Sequence, residues 1–190
     1  TQLQMLTYLD VLNRNLARLY PGGRNHLSGA LYSLIHLPQL SVKDLERSRS
    51  LHLATLGQHR YNGILVKDRQ LLNSIDRSLK LSSRSLVYPL KLKKNGDLNR
   101  RSQRMLVTLD DLKLMLKWTE HLIVTAGKRI YSGDDRISPV RLNRNWTQLQ
   151  YSPYRSIMQF DPLLTENNYH EVGRMTLPEL IKRIKKESDS

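Results

Sequence analysis

Two apolar stripes at helical spacing, separated by short apolar runs, set the strongest limit on how this chain folds. Met5, Leu9, Leu12, Leu16 and Leu19 recur at steps of three and four. The spacing predicts an amphipathic helix from about Leu3 to Leu19 with one buried stripe, ended by Pro21-Gly22-Gly23. A longer helix is expected from Thr108, which can cap the backbone of Asp111, while Asp110 and Asp111 suit the positive end of the helix dipole. Leu112, Met115, Leu116, Leu122, Ile123 and Ala126 line one face, and Gly127 is the expected C-terminal stop. Between these helices, Ala30 to Ile35 reads as a buried strand and Gly63 to Val66 as a second one. Interleaved helix and strand signals predict a mixed α/β architecture.

The rest of the chain adds smaller elements. Residues 39–60 are polar and carry no clean period. Gln70 to Asp76 reads as a short helix. Val87 to Lys93 alternates apolar and basic residues ahead of Asn95-Gly96, a strong hairpin-turn signal because both residues tolerate positive φ. Pro89 places that strand at an edge. Thr176 and Glu179 form a capping box before Leu177, Leu180, Ile181 and Ile184, with Lys182, Arg183, Lys185 and Lys186 on the outer side.

Charge narrows the function classes. The 190 residues hold 31 Lys and Arg against 17 Asp and Glu, a formal net charge of +14. Such an excess points to an acidic polymer, with nucleic acid ahead of anionic lipid or an acidic protein. No run of about 18 apolar residues could span a bilayer, and the start lacks a basic segment followed by an apolar one, the mark of a signal peptide. The chain has no cysteine, so disulfides and thiolate metal sites are excluded. A cytoplasmic protein is expected, with no membrane partner. Thr1 is not an initiator Met, and Leu3, Met5, Leu6 and Leu9 already follow a helical repeat. This start reads as that of a piece of a longer protein.

Four constellations bear on chemistry. Gln4 and Tyr8 stand one helical turn apart, partly off the leucine stripe, and can together hold a carboxylate, a base or a phosphate; a solvated amide beside a half-buried tyrosine is the plainer alternative. Lys91, Lys93, Lys94, Arg100, Arg101 and Arg104 flank the Asn-Gly turn. They suit phosphate contacts without base readout, or equally protection of an exposed strand edge. Asp134-Asp135 is an adjacent pair whose side chains diverge in extended backbone. The histidines (26, 36, 52, 59, 121 and 170) lack metal-ligand spacing, and His36 in its apolar run suits a core position. Gln148 to Pro162 gathers Tyr151, Tyr154, Ile157, Met158 and Phe160 in what reads as a small satellite core. No glycine-rich phosphate loop and no complete active site are present.

Several of these segments resemble the B subunit of the AddAB/RexAB ATP-dependent helicase–nuclease family, over most of the chain. LQMLTYLDVL (3–12) is similar to the family motif in which a Gln and a Tyr follow the catalytic acids, and Gln4 and Tyr8 fall on that pattern. GALYSLIHLP, YNGILVKDRQLLNSID, VYPLKLKKNGDLNRRS and IYSGDDRISPVRL follow in family order, and YSPYRSIMQFDPLLTENNYHEV carries the most specific match. The resemblance implies the C-terminal part of a PD-(D/E)xK, restriction-endonuclease-like nuclease domain with additional helices. It implies Mg2+ chemistry on carboxylates and a lysine that would lie before Thr1, leaving Gln4 and Tyr8 as supporting residues. Residues 145–190 would form a C-terminal clamp. Where family members carry three iron–sulfur cysteines this chain has Leu149, Ser152 and Met158, implying a cluster-free RexB type. DNA and a separate A subunit are the implied partners, and the piece alone is expected to be inactive. The competing reading is a stand-alone basic nucleic-acid-binding module without catalysis.

Overall fold

The computed structural model describes residues 3–188 except 24, 36–38, 44–45, 47–49, 78, 80–83, 94, 96, 100–101, 166 and 174. The chain divides into two compact units, residues 1–120 with 181–190, and residues 121–180.

In the first unit, helix α1 (Leu3–Leu19) has the expected bounds. Of its expected stripe only Leu9 is buried, joined by Leu6 from outside the stripe, whereas Met5 and Leu16 are half-buried and Leu12 and Leu19 are exposed; α1 packs against strand β1 (Gly29–Tyr32), and that neighbour covers only its first turns. The expected strand to Ile35 is therefore shorter, and it is half-buried rather than buried. Pairing stops at Tyr32 because its antiparallel partner β2 (Asn62–Val66) begins at Asn62, and Ile35 is 92% exposed. Two glycines permit this ladder. Gly29 and Gly63 adopt φ of +133° and +155°, and a Cβ on either would meet the backbone carbonyl of Ile64 or Ala30.

A helix α2 (Leu51–Gln58) lies in the stretch without a clean period. Helix α3 (Arg69–Ile75) follows β2, one residue earlier at each end than expected. Asp68 caps α3, accepting from the amides of Gln70 at 2.7 Å and Leu71 at 3.1 Å.

The strand expected at Val87 to Lys93 does not form; the described residues there make only isolated bridges, Arg84 with Lys91 and Leu92 with Leu98. Side chains occupy its backbone instead. The buried Asp76 carboxylate accepts from Leu86 N at 3.2 Å, and Ser85 Oγ, which donates to the same carboxylate, accepts from Val87 N at 3.1 Å and Tyr88 N at 3.0 Å. Lys91 N donates to Ser102 Oγ at 2.7 Å. The chain still reverses near Asn95, with Lys93 N bonded to Asp97 O at 2.6 Å; Gly96 lies outside the described residues. A 3₁₀ turn (Ser102–Met105) leads to β3 (Leu106–Val107), parallel to β2, giving the order β1-β2-β3. Leu65, Leu72, Leu79, Tyr88, Leu90, Met105 and Leu106 form the core beside this sheet.

Helix α4 (Leu109–Tyr131) begins at the expected cap, with Asp111 N donating to Thr108 Oγ1 at 3.0 Å. Leu112, Met115, Leu116 and Thr119 are buried, but Leu122 and Ile123 are exposed, so the predicted face is covered only in its first half. Gly127 does not stop the helix. Nothing in Lys128-Arg129-Ile130-Tyr131 opposes helix, and the end falls at Gly133 (φ +75°), where Gly133 N bonds Ile130 O at 3.1 Å and Asp134 N bonds Arg129 O at 3.0 Å.

The second unit holds a sheet of order β5-β4-β6, made of β4 (Val140–Asn143), β5 (Trp146–Thr147) and β6 (His170–Glu171). A 3₁₀ turn (Gln148–Tyr151) and a one-turn helix α5 (Arg155–Met158) follow β5. Helix α6 (Leu177–Ser188) opens on the expected capping residues, with Glu179 accepting from Thr176 N at 2.7 Å and Thr176 Oγ1 at 2.8 Å. Within α6 only Ile184 is fully buried; Leu177, Leu180 and Ile181 are half-buried.

Candidate functional site

Gln4 and Tyr8 face outward from the first turns of α1, and Gln4 Nε2 donates to Tyr8 Oη at 2.9 Å. That bond leaves the Gln4 carbonyl as an acceptor and the Tyr8 hydroxyl proton as a donor. The pair rims a cleft of about 420 Å3 whose apolar wall comes from Met5, Leu9 and Leu12 on α1 and Ala30, Leu31 and Tyr32 on β1. Tyr8 is 65% exposed, so its hydroxyl reaches solvent and any ligand in the cleft. Among the described residues β1 pairs only with β2, and its other edge carries unpaired backbone groups. The site thus joins an apolar wall, a donor–acceptor pair and an open sheet edge.

Carboxylates are not part of it. Asp10, on the same helix, is paired with Arg14 at 2.8 Å, and Arg14 also reaches Glu120 at 2.7 Å. Glu120 first, and Asp10 second, hold the Arg14 guanidinium above its ordinary pKa. Among the described residues no group of three or more His, Asp or Glu side chains could hold a metal ion. Asp134 is a helix-end anchor: it pairs with Arg129 at 2.7 Å and Arg136 at 2.8 Å, which hold its carboxyl well below the usual range, Arg136 foremost. Asp135 is exposed and forms no part of that anchor. His36 lies outside the described residues.

The basic set is only partly described. Lys91, Lys93 and Arg104 are exposed, while Lys94, Arg100 and Arg101 lie outside the described residues. The three positions expected to stand where family members carry iron–sulfur cysteines differ in setting: Leu149 is buried, and Ser152 and Met158 are half-buried. The surrounding segment is not the expected satellite core. Tyr151, Tyr154 and Ile157 are 76%, 61% and 77% exposed, because one turn of α5 followed by Gln159 at φ +44° gives them no facing surface. Among the described residues of this segment only Phe160 finds an aromatic partner, Tyr169 at 4.8 Å, whose ring also carries Arg141 at 4.4 Å.

The sequence reading missed Asp76 and Ser85. They are nine positions apart with no motif, and only the fold brings the hydroxyl onto the carboxylate.

No protein-family model matches the chain. Three relatives are informative, and each bears the name of the B subunit of an ATP-dependent helicase/deoxyribonuclease. The one from Lactiplantibacillus plantarum is 38% identical over 186 residues, covering 96% of this chain and 15% of that protein. The one from Limosilactobacillus reuteri is 36% identical over 191 residues, covering 98% of this chain and 15% of that protein. The one from Pediococcus pentosaceus is 31% identical over 189 residues, covering 98% of this chain and 16% of that protein. The chain belongs to the family of helicase/deoxyribonuclease B subunits. It spans about 15–16% of the length of these curated relatives. Within a B-subunit chain, then, the Gln4–Tyr8 pair and its cleft stand on a segment matched almost from end to end.

Proposed function

We propose that this chain is the part of a helicase/deoxyribonuclease B subunit that completes a PD-(D/E)xK nuclease domain, with Gln4 and Tyr8 as one wall of the DNA-cutting pocket. The observation that carries this is the open cleft between that hydrogen-bonded pair and the free edge of β1. A further strand bearing the cutting chemistry can pair there. In such an enzyme Mg2+ would supply charge stabilisation and an activated water. The described residues of this chain do not fit the ion, since no suitable donor group exists among them. On this reading the metal ligands belong to other parts of the B chain, and the role left to Gln4 and Tyr8 is to orient a catalytic lysine or the DNA backbone beside them.

The whole enzyme, on this reading, unwinds DNA with ATP, degrades the strands at double-strand breaks for recombinational repair, and pairs with an A subunit in the cytoplasm. Leu149, Ser152 and Met158 make it a cluster-free member, with Leu149 packed where a thiolate would bind iron. Purified protein should carry no stoichiometric iron and no visible charge-transfer band. The competing stand-alone nucleic-acid module is less favoured, because 96–98% of the chain aligns within much longer B subunits.

Deleting this segment from the full-length B chain tests the proposal. Nuclease activity should be lost while ATP hydrolysis by the helicase persists; unchanged cleavage would overturn it. The isolated chain with Mg2+ should retain DNA in a salt-sensitive manner without cutting it, and cleavage by the chain alone would contradict the assignment of the acids elsewhere.

A further inference from the structure

A second cavity, of about 370 Å3, opens between α3 and the reversal at Leu92–Leu98, away from the Gln4–Tyr8 cleft. Its size sits at the small end of the roughly 300–1,000 Å3 typical of ligand pockets. Lys67, Arg69 and Lys93 stand at its rim against one carboxylate, Asp97. None of these three cations is in an ion pair among the described residues. Asn73 and Gln103 also line it with side-chain amides that have no hydrogen-bond partner among those residues. Its floor is apolar, made by Leu72, Leu79, Leu92 and Leu98, of which Leu72 and Leu79 are buried.

Three cations against one carboxylate call for an anion, two side-chain amides suit a heterocycle edge, and a leucine floor suits a flat apolar face. We propose that this cavity binds one nucleoside 5′-phosphate unit, with the phosphate at Lys67, Arg69 and Lys93, the base edge at Asn73 and Gln103, and the base face on the leucines. The unit is either a free nucleotide or the end of a DNA strand. Only the second source rests on the DNA-processing reading.

Titration of the chain with deoxyadenosine 5′-monophosphate, deoxyadenosine and inorganic phosphate, followed by amide NMR shifts, tests this. The nucleotide should bind, perturbing Leu79 and Leu98, with nucleoside and phosphate each at least about tenfold weaker. Lys67, Arg69 and Lys93 are not buried, so neutralising them leaves the core intact. Arg69→Gln with Lys93→Gln should weaken the nucleotide at least about tenfold, whereas Lys113→Gln with Lys117→Gln on α4 should not. Displacement of the nucleotide by a 5′-phosphorylated oligothymidylate identifies a strand as the source, and persistence beside it identifies a free nucleotide. Absent nucleotide shifts, or equal binding by the Arg69/Lys93 variant, overturns the proposal. Salt-sensitive DNA retention by that same variant would keep the DNA reading standing when the cavity proposal falls.

Discussion

Asp76 shows how one buried side chain replaces a strand. Its carboxylate and Ser85 Oγ collect the amides of Leu86, Val87 and Tyr88 that a ladder would otherwise use. Removing the carboxylate takes the acceptor from Ser85 Oγ and Leu86 N and frees the hydroxyl that holds Val87 N and Tyr88 N, so Asp76→Ala should lower stability by about 3 kcal/mol in chemical denaturation, and Asp76→Asn by less. Tyr88 adds a pH signature. Burial first, and the Asp76 charge second, push its phenol up to about 12. A raised folded-state pKa means full stability below the unfolded value near 10 and loss as pH rises through 12. Unfolding midpoints should therefore fall between those pH values, and Tyr88→Phe should flatten the fall. The residue scale was legible only where partners are near in sequence. Gln4 and Tyr8, one turn apart, were readable as a pair; Asp76 and Ser85 were not, because their meeting depends on how residues 76–90 fold back.

Elements whose signals are local came through. The Thr108 cap and the Thr176–Glu179 box both rest on hydrogen bonds within one turn, and the short helix after β2 fell within one residue of its expected bounds. Strand limits did not, since β1 stops where β2 begins, and no pattern within β1 encodes its partner's length. Helix α2 was missed because eight residues hold too few apolar repeats to stand out from polar surroundings. Two predictions belong here. Gly63→Ala should cost more than about 2 kcal/mol and loosen the β1–β2 ladder, because its Cβ meets the Ala30 carbonyl in a φ range that side chains avoid; faster amide exchange at Ala30 and Leu31 would register it. Asp111 is bound by Lys185 at 2.7 Å, and that contact first, with Thr108 assisting, holds its carboxyl below the ordinary value against burial. Its contribution is present above about pH 4 and fades as pH falls through the depressed folded value. Asp111→Asn should thus make acid unfolding less steep.

For the molecule as a whole, the +14 charge was the most informative bulk property, and the order of short motifs carried the family. Neither indicated two compact units, because α4 runs unbroken across the boundary at Glu120 and no change in composition marks it. DNA affinity of the chain should fall linearly in log–log form with salt, and neutralising Lys91 and Lys93 should reduce that slope by roughly 0.9 for each phosphate that no longer meets a cation. The account stands or falls at the Gln4–Tyr8 wall. Full-length B chain carrying Gln4→Ala or Tyr8→Phe, assembled with its A subunit, should lose about 10–100-fold in Mg2+-dependent DNA cleavage, as positioning groups beside a metal do, with ATP hydrolysis unchanged. Cleavage at the parent rate in both variants would contradict it.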